Sequence, residues 1–193
     1  MLFTTIAYSN ETILVVGDSL SAAYGIDPQQ GWVALLQERL KQTYPHYTVV
    51  NSSIDGNTTT EGLQRLPELL KKYQPSIVLL EEGANDGLRG LPIQAMENNL
   101  AQMIELCQQQ SSQVVLLGMR IPPNYGPKYT EQFTAVYPAL SKKYNTALVD
   151  FFLDGVGDNE ALKQNDRLHP TASAQPKILE NVWPTLKPLL KQQ

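Results

Sequence analysis

The sequence predicts an α/β fold, a single-domain three-layer α/β/α sandwich whose five-stranded parallel sheet has the flavodoxin-like order 2-1-3-4-5. Five short runs rich in Val, Ile and Leu recur without polar alternation, which is typical of strands buried on both faces. Amphipathic helical stretches separate these runs, and right-handed crossovers then place helices on both faces of the sheet. A chain of 193 residues without internal repeats or linkers fits one domain.

The predicted strands and helices alternate along the chain. The strands cover residues 13–16, 48–51, 76–80, 114–117 and 147–149. Apolar stripes at helical spacing predict five helices, within residues 32–40, 63–73, 96–107, 133–144 and 178–186. Pro184 and Pro188 should end or kink the last of these, because proline lacks the N–H that an inner helical turn donates.

Composition and charge argue against several classes of protein. The formal net charge is −4 and the basic residues are not clustered, which disfavours nucleic acid as a partner. No apolar run approaches the ~20 residues that span a bilayer, so we expect no integral membrane segment. Cys107 is the only cysteine, so the chain can form neither an intrachain disulfide nor a cysteine-based metal site.

The first ten residues are apolar and contain no Lys or Arg. We expect residues 1–10 to be an N-terminal extension or the remnant of a secretion signal, and residues 11–193 to form the folded domain. A signal remnant favours a periplasmic or secreted protein, and a cytoplasmic location stays open. The sequence does not indicate the oligomeric state.

Polar turns follow four of the predicted strands, at the carboxyl ends where sheets of this kind bind their ligands. Ser19 follows the first strand, residues 54–58 the second, residues 83–87 the third and residues 166–170 the fifth. Because parallel strands end at one edge of a sheet, we expect these turns to meet there.

The turn after the first strand contains a candidate nucleophile. The β-branched run stops at Gly17 and Ser19 comes two residues later, as in a sharp strand-to-helix turn that exposes a serine hydroxyl. Asp18 or Ser19 could instead cap the next helix by accepting a backbone N–H. A catalytic interpretation therefore requires a base and oxyanion donors elsewhere in the chain.

His169 is the candidate base. It follows Asp166 by three residues, so the carboxylate can hydrogen-bond the imidazole, fix its tautomer and stabilise the imidazolium. The same pattern, with Pro170 next, also suits a helix N-terminus capped by Asp166. His46, the other histidine, lies at the opposite edge of the predicted sheet and is not expected to take part.

Acyl transfer also needs hydrogen-bond donors for a developing oxyanion. Gly56 can offer its backbone N–H without a side chain to block approach, and Asn85 can offer its side-chain amide. The backbone N–H of Ser19 is a third candidate. Each of these turns could also be purely structural.

Together, Ser19, Gly56, Asn85 and His169 resemble, in their order, the four signature blocks of the SGNH (GDSL-type) hydrolase family. The Gly-Asp-Ser-Leu, Gly-Ala-Asn-Asp and Asp-x-x-His-Pro segments resemble its first, third and fifth blocks. Three further segments, residues 88–90, 120–126 and 133–138, look like the bacterial thioesterase I/lysophospholipase/arylesterase branch.

The resemblance implies an enzyme of lipid metabolism, a serine hydrolase that cleaves carboxylic esters, thioesters or lysophospholipids through an acyl-serine intermediate. Ser19 would be the nucleophile, His169 the base and Asp166 its orienting acid. Gly56 and Asn85 would carry over as oxyanion donors. No metal or organic cofactor is required.

The loops after the third and fourth strands are expected to hold the acyl chain. The candidate contacts are Leu88, Leu91, Ile121, Pro122 and Tyr125. Ala84 and Arg167 stand where the family often has glycine. These departures concern loop shape, and hence substrate preference, more than the chemistry.

Two other functions remain as alternatives from the sequence. A metallophosphoesterase also uses Gly-Asp and Gly-Asn turns at strand ends, but such sites generally draw on several imidazoles and only His169 is suitably placed. A non-catalytic flavin- or phosphate-binding module would bind at the same turn, but it needs several donors there. Ser19 and Ser21 are present, whereas Leu20, Ala22 and Ala23 contribute no hydroxyl.

Overall fold

A computed structural model describes residues 10–192 and contains a five-stranded parallel sheet. The strands are β1 (Glu11–Gly17), β2 (Tyr47–Asn51), β3 (Ile77–Glu81), β4 (Gln113–Leu117) and β5 (Ala147–Val149). Their order is β2-β1-β3-β4-β5, which confirms the predicted topology. All neighbouring strands pair in parallel, so all five carboxyl ends lie at one edge, called here the carboxyl edge.

Six α-helices connect and follow the strands within the described residues. They are α1 (Trp32–Thr43), α2 (Thr59–Tyr73), α3 (Ala84–Leu88), α4 (Ile93–Gln109), α5 (Pro127–Tyr144) and α6 (Gln175–Leu186). Helix α1 packs against α6, while α2 and α5 both pack against α4. These two groups form the outer layers of the sandwich. The short helix α3 was not predicted, because five residues are too few to show a helical period.

The core lies on both faces of the two central strands. Residues 13–16 of β1 and residues 78–80 of β3 are completely buried, as predicted from their unbroken apolar runs. Cys107 on α4 is also completely buried, and burial raises the pKa of its thiol to about 12. No helix within residues 10–192 is both long and apolar enough to cross a membrane.

Pro184 does not end the last helix, one of the two outcomes, an end or a kink, that the sequence predicts there. Helix α6 continues through Pro184 to Leu186, and Pro188 lies in the 3₁₀ turn that follows. Pro184 is exposed, and so is Glu180, whose carbonyl loses its helical partner at this proline. Water can satisfy that carbonyl, so the helix tolerates the residue.

The predicted N-terminal extension, residues 1–10, lies outside the described residues apart from Asn10.

Truncating a central-strand residue should destabilise the protein strongly. Leu79 on β3 is completely buried, so Leu79→Ala removes apolar contacts and leaves a cavity, with an expected cost of about 2–5 kcal/mol in the free energy of unfolding. Urea denaturation measures this quantity. Ile54→Ala is the control: the side chain is 49% exposed, and a change within about 0.5 kcal/mol is expected. Equal losses from the two variants would contradict the assignment of the core.

Candidate active site

The candidate nucleophile lies on the turn that leaves β1 at the carboxyl edge. The strand ends at Gly17, and Ser19 sits on a helical turn. Two backbone bonds close that turn, from the N–H of Ala22 to the Asp18 carbonyl at 3.0 Å and from the N–H of Tyr24 to the Ser19 carbonyl at 3.1 Å. Ser19 is only 8% exposed. Its position is therefore set by backbone structure on both sides.

Glu81, at the end of β3, anchors this turn from within the protein. Its Oε2 accepts the Asp18 N–H at 3.2 Å and the Ser21 hydroxyl at 2.7 Å, and the Trp32 indole N–H donates to Ser21 Oγ at 3.2 Å. A Cβ on Gly17 would lie 2.5 Å from Glu81 Oε2 and 2.8 Å from the Glu81 carbonyl oxygen. Glycine is therefore required directly before the turn.

Several carboxyl groups are buried together beneath the turn. Burial raises the pKa of Glu81 well above its usual range and that of Asp18 to about 6. Burial also raises the pKa of Glu82 to about 8, although the Arg65 guanidinium, 3.1 Å from Glu82 Oε1, opposes the rise. Arg65 also donates to the Gly17 carbonyl at 3.1 Å. The Arg65 guanidinium therefore binds both a carboxyl group of this cluster and the carbonyl at the end of β1.

The structure places His169 and Asp166 next to Ser19. His169 Nε2 is 3.0 Å from Ser19 Oγ, and His169 Nδ1 is 2.7 Å from Asp166 Oδ2. Asp166 Oδ1 accepts the backbone N–H groups of Leu168 and His169, and the hydrogen bond from the imidazole is the main cause that lowers the pKa of Asp166 to about 2. An ionised Asp166 accepts a hydrogen bond from Nδ1–H. This keeps the proton of the neutral imidazole on Nδ1 and leaves Nε2 free to take a proton from the serine hydroxyl.

The candidate oxyanion donors also gather at this edge. Asn85, on α3, donates from Nδ2 to Asp18 Oδ2 and to the Asn57 carbonyl, both at 2.9 Å. The backbone N–H groups of Ser19 and Gly56 donate to no other atom of residues 10–192. Gly56 has a φ of +74°, a left-handed conformation that glycine adopts without steric cost. Two backbone donors are thus free, and the side-chain amide is held by its neighbours.

A cleft of about 420 Å³ opens over Ser19, Asn85 and His169, while Gly56 is not among its lining residues. Of the five side chains predicted to contact an acyl chain, Leu88, Ile121 and Pro122 line this cleft. Leu91 and Tyr125 are not among its lining residues. Each is 37% exposed, and the Tyr125 hydroxyl instead donates to the Leu88 carbonyl at 2.7 Å.

Sequence reasoning missed part of the cleft wall. Met119, which follows β4, and Phe151 and Leu153, which follow β5, line the cleft together with Leu168 beside the candidate base. The Arg120 guanidinium lies 4.6 Å from the Phe151 ring centroid. Met119, Phe151 and Leu153 could have been predicted from the sequence, because they closely follow β4 and β5 and parallel strands end at the carboxyl edge.

His46 is remote from the cleft. Its carbonyl accepts the Glu11 N–H where β1 begins, at the opposite edge of the sheet, as the sequence predicts. Among residues 10–192, no three His, Cys, Asp or Glu side chains are grouped so that they could hold a metal ion.

Comparisons with known proteins agree with the fold and with the chemistry of this edge. The model of the GDSL-like Lipase/Acylhydrolase family matches residues 15–175. The chain is 53% identical to the esterase TesA of Pseudomonas aeruginosa over 180 residues, which cover 93% of this chain and 90% of the relative. It is 40% identical to thioesterase 1/protease 1/lysophospholipase L1 of Escherichia coli (strain K12), covering 98% of this chain and 90% of the relative.

A solved structure is similar as well. The psychrotrophic esterase EstA from Pseudoalteromonas sp., inhibited by monoethylphosphonate, superposes with a TM-score of 0.88 at 41% identity, covering 93% of this chain and 98% of that one. These relatives are ester hydrolases. They support neither the metallophosphoesterase nor the flavin- or phosphate-binding alternative.

Replacing Glu81 with glutamine should flatten the dependence of stability on pH. Because the pKa of Glu81 is raised in the folded state, the unfolded chain loses this proton near pH 4.5 while the native protein keeps it. The stability that Glu81 contributes is therefore fully present below pH 4.5 and is lost as the pH rises toward the native pKa, by about 1.4 kcal/mol per pH unit.

Urea denaturation at several values between about pH 5 and 7 measures this slope. Glu81→Gln can accept the same hydrogen bonds without titrating, so its slope should be less negative than that of the wild type. Glu68→Gln, which changes an exposed carboxylate on α2, should leave the slope unchanged. A wild-type slope in Glu81→Gln would contradict a protonated Glu81.

Proposed function

The chain belongs to the GDSL-like lipase/acylhydrolase family, and on that premise we propose that Ser19, His169 and Asp166 are the catalytic triad of its ester hydrolysis. The protein is a serine hydrolase of carboxylic esters. One observation carries the assignment of residues: a continuous line of hydrogen bonds runs from Ser19 Oγ through the imidazole to the Asp166 carboxylate, with distances of 3.0 Å and 2.7 Å.

In the first step, Ser19 Oγ attacks the acyl carbonyl while its proton passes to His169 Nε2. Asp166, ionised because its pKa is lowered to about 2, stabilises the imidazolium that forms. The tetrahedral intermediate collapses when His169 returns the proton to the leaving alcohol or thiol. An acyl-serine ester remains.

The donors that we propose for the oxyanion come from three turns at the carboxyl edge. The free backbone N–H groups of Ser19 and Gly56 are two of them. Asn85 is the third, and it shares with the oxyanion the N–H that otherwise reaches the Asn57 carbonyl. Asp18 accepts from the same amide, so the Asn85 side chain stays oriented throughout the reaction.

In the second step, water enters where the leaving group was. His169 removes a proton from this water, which attacks the acyl-serine carbonyl, and the same donors stabilise the second tetrahedral intermediate. Collapse of that intermediate returns the proton to Ser19 and releases the carboxylic acid. Apart from the substrate and this water, the steps that we propose use side chains and backbone groups of this chain.

The substrates we propose are small acyl esters, acyl thioesters and lysophospholipids. The cleft offers an apolar wall for an acyl chain, formed by Leu88, Met119, Ile121 and Leu153. The relatives carry the names esterase and thioesterase 1/protease 1/lysophospholipase L1, which fits an acyl pocket that accepts several leaving groups.

We propose residues 11–193 as one hydrolase domain, within which the family model matches residues 15–175. Export to the periplasm or secretion stays a prediction, because it depends on the first residues of the chain, which lie outside the described part.

Ser19→Ala should abolish hydrolysis of p-nitrophenyl butyrate, since the variant has no nucleophile to form the acyl-enzyme. The release of p-nitrophenolate measures activity, and circular dichroism with thermal unfolding checks the fold. Ser173→Ala, which changes an exposed serine four residues after the candidate base, should keep wild-type activity. Undiminished turnover by Ser19→Ala would overturn the proposal.

Asn85→Ala should lower kcat by about 10²–10³-fold and change KM little, because the amide acts on the oxyanion more than on the ground-state carbonyl. Steady-state kinetics on the same ester measure both constants. The matched control is Asn98→Ala, which removes an exposed amide on α4 and should leave both constants unchanged. A rise in KM with an unchanged kcat would place Asn85 in substrate binding instead.

A further inference from the structure

Tyr24 covers one face of the candidate base. Its ring centroid lies 4.4 Å from that of His169, with the two planes tilted by 42°. The side chain is 47% exposed, and its hydroxyl makes no hydrogen bond with residues 10–192. Neither burial nor a polar partner accounts for an aromatic ring at this place. Its contact with the imidazole does.

Gln164 joins the loop of the nucleophile to the loop of the base. Its side-chain amide donates to the Tyr24 carbonyl at 2.8 Å and to the Pro170 carbonyl at 2.9 Å. Its backbone N–H donates to the His169 carbonyl at 2.8 Å, and its own carbonyl accepts the Arg167 N–H at 2.9 Å. One residue thus ties Tyr24 to both ends of the turn that holds the imidazole.

The backbone around Tyr24 is shaped to admit Gln164. Ala23 and Gly25, on either side of Tyr24, have positive φ values of 61° and 73°. A Cβ on Gly25 would lie 2.2 Å from Gln164 Oε1, so the glutamine side chain occupies the space that any other residue at position 25 would need. This close fit holds Tyr24 in its place.

The two hydrogen bonds of the imidazole leave one motion unrestrained. Both are made through ring nitrogens, whose N–H bonds and lone pairs lie in the plane of the ring, to Ser19 on one side and to Asp166 on the other. They do not prevent the ring from tilting about the line that joins their partners. A side chain packed on the face of His169 blocks that tilt. An aromatic face within about 6 Å also attracts the imidazolium cation that forms during turnover.

We propose that Tyr24 and Gln164 are positioning residues for the general base. Tyr24 packs on the imidazole and stabilises its protonated form, and Gln164 holds Tyr24 there through the Tyr24 carbonyl. This inference rests on the proposed role of His169. The role requires the aromatic ring of Tyr24 and does not use its hydroxyl.

Proton NMR tests the geometry without any hydrolysis. The chain has two histidines, so the spectrum contains two sets of imidazole C–H resonances. The ring current of Tyr24 should shift those of His169 upfield, and His169→Gln assigns them by their loss. The shift should persist in Tyr24→Phe, and should disappear in Tyr24→Leu and shrink in Gln164→Met. The resonances of His46, at the far edge of the sheet, should not move in these three variants.

Kinetics with p-nitrophenyl butyrate test the consequence. Tyr24→Leu should lower kcat by about three- to tenfold with KM unchanged, while Tyr24→Phe keeps wild-type values. Gln164→Met has a side chain of similar size without hydrogen-bond donors, and it should also lower kcat. In the double variant Tyr24→Leu/Gln164→Met the losses should not multiply, because both changes act through one contact. Tyr73→Leu, at the opposite edge of the sheet, is the control and should match the wild type.

Each result decides the inference. A wild-type kcat in Tyr24→Leu, or an equal loss in Tyr24→Phe, would overturn the role of the ring. Fully multiplicative losses in the double variant, or an unchanged ring-current shift in Gln164→Met, would overturn the role of Gln164. Failure of the triad itself would appear separately, as hydrolysis that survives in Ser19→Ala, and the NMR shifts would be unaffected by it.

Discussion

The contact between the ends of β1 and β3 is the constraint on which the rest of the site depends. Gly17 and Glu81 are neighbours in the register of these strands, and Glu81 binds both the Asp18 N–H and the Ser21 hydroxyl. The turn that carries Ser19 therefore cannot shift relative to the sheet without breaking buried hydrogen bonds. Because an unsatisfied buried donor costs about 1–3 kcal/mol, the candidate nucleophile is held in place before any substrate binds.

The two halves of the candidate triad are held in different ways. Ser19 rests on the completely buried Glu81 beneath its turn and on the partly buried Arg65 at the end of its strand. His169 and Asp166 lie on a loop near the surface, where Asp166 is 40% exposed in its side chain. That loop is ordered by its own hydrogen bonds rather than by burial. The position of His169 relative to Ser19 therefore depends on hydrogen bonds that connect this loop to the turn of Ser19. The hydrogen bonds made by Gln164 are of this kind.

Hydrophobic pattern and chain order were sufficient to predict the sheet, its topology and the edge where the site lies. Buried parallel strands have an unmistakable composition, and their common direction brings the turns of Ser19, Gly56 and Asn85 together. The supporting residues could not be found in this way. Glu81 reads as the polar end of a strand, and Tyr24 as a loop tyrosine. Their roles follow from contacts across 63 residues of chain for Glu81 and Asp18, and 145 residues for Tyr24 and His169 (169 minus 24), which no local pattern encodes.

The buried carboxyl groups make sense when the charge of the transition state is considered. An oxyanion forms within a site that has Asp18 and Glu81 behind it, and each ionised carboxylate nearby opposes that charge, more strongly in a buried environment than in water. A protonated Glu81 holds the turn without adding a negative charge, and Arg65 lies against Glu82. Above pH 6 or so Asp18 is ionised, but both of its oxygens accept N–H groups, from Leu20 and from Asn85. The Asp18 carboxylate therefore orients Asn85, the candidate oxyanion donor, and in that proposed role the gain offsets its repulsion of the oxyanion.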